Sequence, residues 1–215
     1  MKNMKWISAF MFLLAGNNVA LAQTKTPRSA VLVAQTSIPA AQERTDKNAA
    51  DLDAQREKHA LQVFLKLGQT IIVAAADAMP ADKYRFAPTD GEFKGVRTFG
   101  QQVKHLAATN HILAAAALGE EPPTGAGDET GPETVRTKAE ILDYLNGSFE
   151  HLARAIAAIG DKNAAVKSSP ISPLLGAEAT RLALTVEAMI HAFDHYGQMI
   201  EYLRMNGVVP PASRP

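Results

Sequence analysis

Residues 177–206 carry two seams of alternating four- and three-residue spacing, side by side on one expected helix, and this pattern constrains the fold most strongly. One seam is apolar throughout: Leu182, Val186, Met189, Phe193, Tyr196, Ile200 and Leu203. The other reads Leu184, Ala188, His191, His195, Gln198 and Tyr202, apolar at its start and polar toward its end. Rows at this spacing stay on one side of an α-helix and pack against other helices. A helix with two such sides needs neighbours on both, so the expected fold is an all-α bundle, with the apolar seam as its core face.

Three more helical stretches precede it. The first is expected from about Asn48 to Ala78, stopping before Met79-Pro80, with Leu61, Phe64, Leu65, Ile71 and Ile72 on its buried side. Thr98 and Gln101 form a capping box that opens the second, which runs to about Leu118. Its seams are Phe99, Val103, Leu106, Asn110, Leu113 and Ala117, and beside them Thr98, Gln102, His105, Thr109, Ile112 and Ala116. Thr137 and Glu140 form another capping box, opening a third helix that ends near Gly160, before Pro170 and Pro173. The fourth, about Ala177 to Asn206, is stopped by Gly207 in a left-handed cap and by Pro210-Pro211. Tyr84 and Phe86 are expected to anchor the first loop over the bundle end, and no strand pattern competes. Residues 47–215 are therefore read as one domain, long enough for a real core.

The N-terminus carries a different message. Lys2 and Lys5 precede an apolar run from Trp6 to Leu14, and Ala20-Leu21-Ala22 supplies a small-x-small ending. This is the pattern of a secretory signal peptide over 1–22, too short in its apolar core to span a bilayer. The expected location is periplasmic or secreted, with a mature chain starting at Gln23 and a flexible tether over 23–46. The sequence contains no cysteine, so it has neither disulfides nor a lipoprotein attachment point. Lys plus Arg equals Asp plus Glu at 22 each, and loss of Lys2 and Lys5 makes the balance slightly acidic. A nucleic-acid partner would need a basic stripe and is not expected. No membrane span is expected after the leader.

The chemistry lies in the histidines. His191 and His195 are one turn apart, so their rings are separated by about 40° around the helix and about 6 Å along it and can face one ion. A third ligand must come from another segment, and His105, mid-seam on the second helix, is the candidate. Three neutral imidazoles suit Zn²⁺ or Ni²⁺ and leave a coordination position open. Such an ion can serve hydrolysis of an ester or amide, or hold a thiolate nucleophile. Gln198 and Tyr202 stand close enough along the helix to orient ligands or substrate, whereas Asp194 points elsewhere. His111 lies about 240° around the helix from His105, and His59 and His151 sit among charged residues, so these three are read as surface or structural. Gly197 inside the fourth helix marks either close approach of another helix or chain, or plain tolerance.

Three segments, MPADKYRFAP at 79–88, RTFGQQVKHLAATNHIL at 97–113 and HAFDHYGQMIEYLRMNGVVPPAS at 191–213, together resemble the DinB-like family of four-helix-bundle proteins. The last is the most specific and is similar to the ending of secreted members. The resemblance implies an up-down-down-up order with one long crossover, often a dimer, and a divalent metal held by His105, His191 and His195. It also implies two function classes. One is a metal-dependent enzyme acting on a small-molecule substrate, a hydrolase or a thiol-transferase-like protein; the other is a non-catalytic metal-binding or structural interaction bundle. Low-molecular-weight thiols are chiefly cytosolic, so export favours hydrolysis within the first class.

Overall fold

The chain folds through helices α1 (Ala40–Ala78), α2 (Phe99–Leu118), α3 (Lys138–Ala157) and α4 (Arg181–Met205), with short 3-10 turns at Ala81–Lys83 and Pro211–Ser213. The computed structural model describes residues 40–126, 129–159 and 179–214, all within the unit Ile38–Pro215. The expected signal peptide, most of the expected tether, and Pro170 and Pro173 lie outside the described residues. Helix α1 begins at Ala40 rather than near Asn48, so the end of the stretch read as a tether is helical. Helix α3 stops at Ala157, before Gly160, and α4 starts at Arg181, where the Thr180 hydroxyl accepts from the Ala183 amide.

Side-chain pairs fix the helix directions. Lys138, which opens α3, reaches Asp77 at the end of α1 at 3.0 Å, and Gln62 and Glu150 line one groove, so α1 and α3 are antiparallel. Asn110 pairs with Ser148 and His111 with His151, which makes α2 and α3 parallel. Gln102 near the start of α2 bonds Gln198 near the end of α4, so these two are antiparallel. Helix α1 packs on α3 and α4, and so does α2. The order is up-down-down-up, and because α2 and α3 are parallel, residues 119–137 must return the length of the bundle. This crossover lies along α2, where the Lys104 ammonium donates to the Pro132 and Val135 carbonyls at 3.1 and 3.4 Å.

Both expected capping boxes are present, at Thr98 with Gln101 and at Thr137 with Glu140. Gly207 follows α4 with φ of 73°, the left-handed conformation that glycine adopts without a Cβ penalty. The α1–α2 loop is anchored as expected. Tyr84 is buried, donates its hydroxyl to the Ala76 carbonyl at 2.7 Å, and sets its ring edge-on to Phe99. The carbonyls of Tyr84 and Phe86 accept from the amides of Gly100 and Phe99, satisfying donors that a helix N-terminus otherwise leaves open.

Helix α1 buries Leu61, Leu65, Gly68, Ile72 and Ala75 in a single row. Phe64, expected in that row, is instead 55% exposed, because it falls one residue short of the stripe. By length and composition alone the Lys47–Ala78 part of α1 is long and apolar enough to cross a membrane; its stripe packs on the other helices. Helix α3 buries Ile141, Leu145, Ser148, Leu152 and Ala155 at the same spacing, with Phe149, His151 and Ile156 beside them. Helix α2 is buried on nearly every side, sandwiched by α3, α4 and the crossover.

Helix α4 departs from expectation. Its deepest row is Thr185, Ala188, Ala192, His195, Met199 and Tyr202, whereas Leu182, Val186, Met189, Phe193 and Tyr196 of the apolar seam are only half-buried. Small Ala188 and Ala192 sit in this deepest row. Larger apolar residues of the seam flank it. Each fully buried leucine or isoleucine in this core contributes about 1.5–3 kcal/mol of transfer free energy.

Candidate metal centre

The α2–α4 contact carries His105 on one side and His191 and His195 on the other. Their Nε2 atoms converge: His191 to His105 at 3.2 Å and His195 to His191 at 2.9 Å. The ligand atoms of all three lie within 4.8 Å of one another. His105 and His195 are buried, and His191 is half-buried.

A hydrogen bond behind the His105 ring sets its tautomer. The His105 Nδ1 faces the Glu129 carbonyl at 2.8 Å. A carbonyl only accepts, so Nδ1 carries the proton and Nε2 presents a lone pair to the other rings. Glu129 lies on the crossover with φ of 64°, the one non-glycine residue in the left-handed region among the described residues. The crossover thus turns against its backbone preference at the residue that buttresses His105.

His195 is held by Gln102, one turn before His105 on the same seam. The Gln102 Nε2 donates to Gln198 Oε1 at 2.7 Å and sits 2.5 Å from His195 Nδ1. Turning the Gln102 amide by 180° would set its oxygen against a protonated Nδ1 and free Nε2 of His195 as a ligand, at the cost of the bond to Gln198. The Nδ1 of His191 is buried with no hydrogen-bond partner among the described residues.

All three rings are driven toward the neutral state. Burial first, and then the neighbouring imidazoles, hold His191 down at about 3; burial and His105 hold His195 at about 4. Burial also lowers His105. The guanidinium of Arg97 pushes each of the three the same way. At neutral pH the cluster is therefore a set of uncharged nitrogen donors, the form in which imidazole binds metals.

A divalent ion fits this donor set. Nitrogens about 2.05 Å from one ion stand about 2.9 Å apart at right angles and about 3.3 Å apart in a tetrahedron. The observed 2.9 and 3.2 Å separations fall in that range. The His191 Nε2 is either a donor or an acceptor, so a hydrogen bond can satisfy one of its two ring contacts, whereas an ion takes the lone pairs of all three rings.

Of the other polar residues on the α4 seam, Gln198 acts through Gln102 and accepts from it, while its own amide donates to the exposed Asp194 at 2.9 Å. Tyr202 does not face the rings; its hydroxyl donates to the Arg97 carbonyl at 3.1 Å and its ring packs edge-on against Phe86. His59 is exposed, as expected. His111 and His151 are not on the surface: both are buried and face one another, Nδ1 to Nδ1, at 3.0 Å between α2 and α3. Gln102 and Glu129 had no assigned role from sequence. Gln102 sits one turn from His105 on its seam, a signal that could have found it, whereas nothing local marks Glu129.

A comparison with curated proteins finds no match to this chain. The family model of the DinB superfamily matches residues 65–199, a span that runs from within α1 to within α4 and includes His105, His191 and His195. With that match over more than half of its length, on a helical bundle, the chain belongs to the DinB superfamily.

Proposed function

We propose that this is an exported metal-dependent hydrolase in which His105, His191 and His195 hold one divalent ion, Zn²⁺ or Ni²⁺, against a small-molecule substrate. The observation that carries the reading is the convergence of three neutral Nε2 atoms, with His105 locked by the Glu129 carbonyl into the tautomer a metal requires. A bound ion would supply Lewis acidity at a coordination position that three protein ligands leave open. The chain's own residues do the rest: Glu129 and Gln102 fix the rings, and burial keeps them unprotonated. Export is supported by Lys2, Lys5, the run Trp6–Leu14 and the Ala20-Leu21-Ala22 ending. It favours water over a cytosolic thiol as the nucleophile, and so hydrolysis over thiol transfer. Exposed Val63, Phe64 and Leu67 on α1 and Ile190 on the adjacent α4 support a homodimer.

Metal analysis of the purified mature protein, beside a His191→Ala variant, tests the site. Stoichiometric Zn or Ni in the wild type, lost in the variant, with a melting temperature lowered by chelator, is the expected result. Equal traces in both proteins, with melting indifferent to chelator, would overturn it. Turnover of an ester or amide panel that chelator abolishes separates the hydrolase from a non-catalytic bundle. N-terminal sequencing of the exported protein should read from Gln23, and sedimentation should give a dimer that Phe64→Ser weakens.

A further inference from the structure

The three rings are not equally supported from behind. His105 rests on the Glu129 carbonyl and His195 on Gln102, whereas the Nδ1 of His191 is buried and bonds nothing among the described residues. Once the Nε2 of His191 gives its lone pair to an ion, its Nδ1 must carry the ring proton. A buried N–H without an acceptor is destabilising, and the partner behind a metal-bound imidazole also fixes the orientation of the ring.

Thr109 carries a matching orphan. It is 8% exposed on α2, and its Oγ1 is enclosed with no hydrogen-bond partner among the described residues. Gln102, His105 and Thr109 follow one another at three- and four-residue spacing and so share one face of α2. The first two members of that row meet α4 in order. Gln102 touches His195 and Gln198, and His105 lies between His195 and His191, with ring centroids 4.7 and 5.0 Å away. The two helices are antiparallel, so each turn forward on α2 is a turn back on α4. The next turn therefore sets Thr109 level with His191 and Ala188. Ala188 is fully buried and offers the imidazole no polar atom, which leaves the Thr109 hydroxyl as the acceptor at this level.

We propose that Thr109 is the positioning residue for His191, its hydroxyl accepting from the Nδ1–H through one bridging water. The two atoms make no direct bond, and a buried water needs at least two polar partners, which they supply. The inference rests on the metal reading above and deepens it. One row of α2 then provides a ligand, His105, together with the backing of both ligands on α4, Gln102 for His195 and Thr109 for His191.

Competition titration of Zn²⁺ against a chromophoric chelator, on wild type, Thr109→Val and Thr109→Ser, tests this. Valine keeps the shape and removes the hydroxyl, so affinity should fall about 10- to 100-fold, whereas serine should keep the wild-type affinity. Glu187→Gln, one turn before His191 on its own helix, should leave affinity unchanged. Urea unfolding in chelator is the readout that a packing role would move. Thr109→Val should unfold at no lower urea concentration than wild type, because it deletes a buried hydroxyl that has no partner in the metal-free protein. In proton NMR of the Zn-loaded protein, the His191 Nδ1–H should be protected from exchange in wild type and Thr109→Ser and lost in Thr109→Val, with the His105 signal kept. Zn bound as tightly by Thr109→Val as by wild type, or a loss of affinity matched by a loss of stability in chelator, would overturn the role of Thr109 and leave the metal reading standing. A wild type that binds no Zn overturns both.

Discussion

His105 and Glu129, 24 residues apart, are joined by one hydrogen bond from an imidazole Nδ1 to a backbone carbonyl at 2.8 Å. Glu129 holds that carbonyl in place at φ of 64°, which costs a non-glycine residue about 1 kcal/mol. Glu129→Gly keeps the carbonyl and removes the strain, so it should raise stability by about 0.5–1 kcal/mol and keep the ring held, losing only the attraction of the carboxylate whose Oε2 lies 3.9 Å from His105 Nδ1. Glu129→Pro locks φ near −65°, turns the carbonyl away, and should weaken metal binding about 10- to 100-fold. Competition titrations against a chromophoric chelator measure both; Pro and wild type binding alike would break the link between crossover and ring.

Gln102 is the corresponding buttress for His195, and its effect should appear in affinity before stability. Gln102→Leu removes every partner of the His195 Nδ1 found among the described residues and should lower metal affinity about 10- to 100-fold. Gln102→Glu, whose carboxylate can accept from a protonated Nδ1, should retain most of the affinity while losing the bond to Gln198. If Leu binds metal as tightly as Gln, His195 does not depend on this contact.

These two buttresses show how far the sequence could be read. Capping boxes at Thr98 and Thr137 act within one turn, so their residues identify them directly. The spacing of His191 and His195 and the seam position of His105 offer a candidate site, but the resemblance of the three segments carries most of its weight. The burial order in α4 is harder, because ranking residues by size favours Phe193 and Met189, whereas the deepest row runs through Ala188 and Ala192. Glu129 could not be found at all: its part in the site is a backbone carbonyl on a crossover, which its side chain does not encode. The His111–His151 pair needs α2 and α3 to be parallel neighbours, a fact of topology that neither helix carries alone.

That pair should make stability depend on pH. Burial, and then the charge of His151, hold His111 at about 4 against an ordinary 6.5. Tyr144 from α3 covers its ring, and His151 in turn faces Glu120 and Arg154. A folded value below the unfolded one means the unfolded chain takes up the proton first. The contribution is therefore complete above about pH 6.5 and lost as pH falls through 6.5 toward 4, by about 3 kcal/mol. Urea unfolding in chelator at pH 7 and pH 4 should show His111→Gln losing less stability over this range than wild type by that amount. Parallel pH profiles would contradict a neutral buried pair.

Gly197 offers a sharper question than its propensity alone suggests. It is exposed in mid-helix, and a Cβ placed there would meet nothing within 4 Å among the described residues. Close approach by a helix of the same bundle therefore does not explain it, which leaves tolerance or a second copy of the chain. If nothing packs there, Gly197→Ala should stabilise the protein by about 0.5–1 kcal/mol, since alanine loses less backbone freedom on entering a helix. If a partner's backbone rests on this face, the added methyl must displace it, and the variant should dissociate at higher protein concentration than wild type. Urea midpoints measured across a hundredfold range of concentration distinguish the two: a uniform rise means tolerance, and a fall that deepens on dilution locates the dimer contact at Gly197.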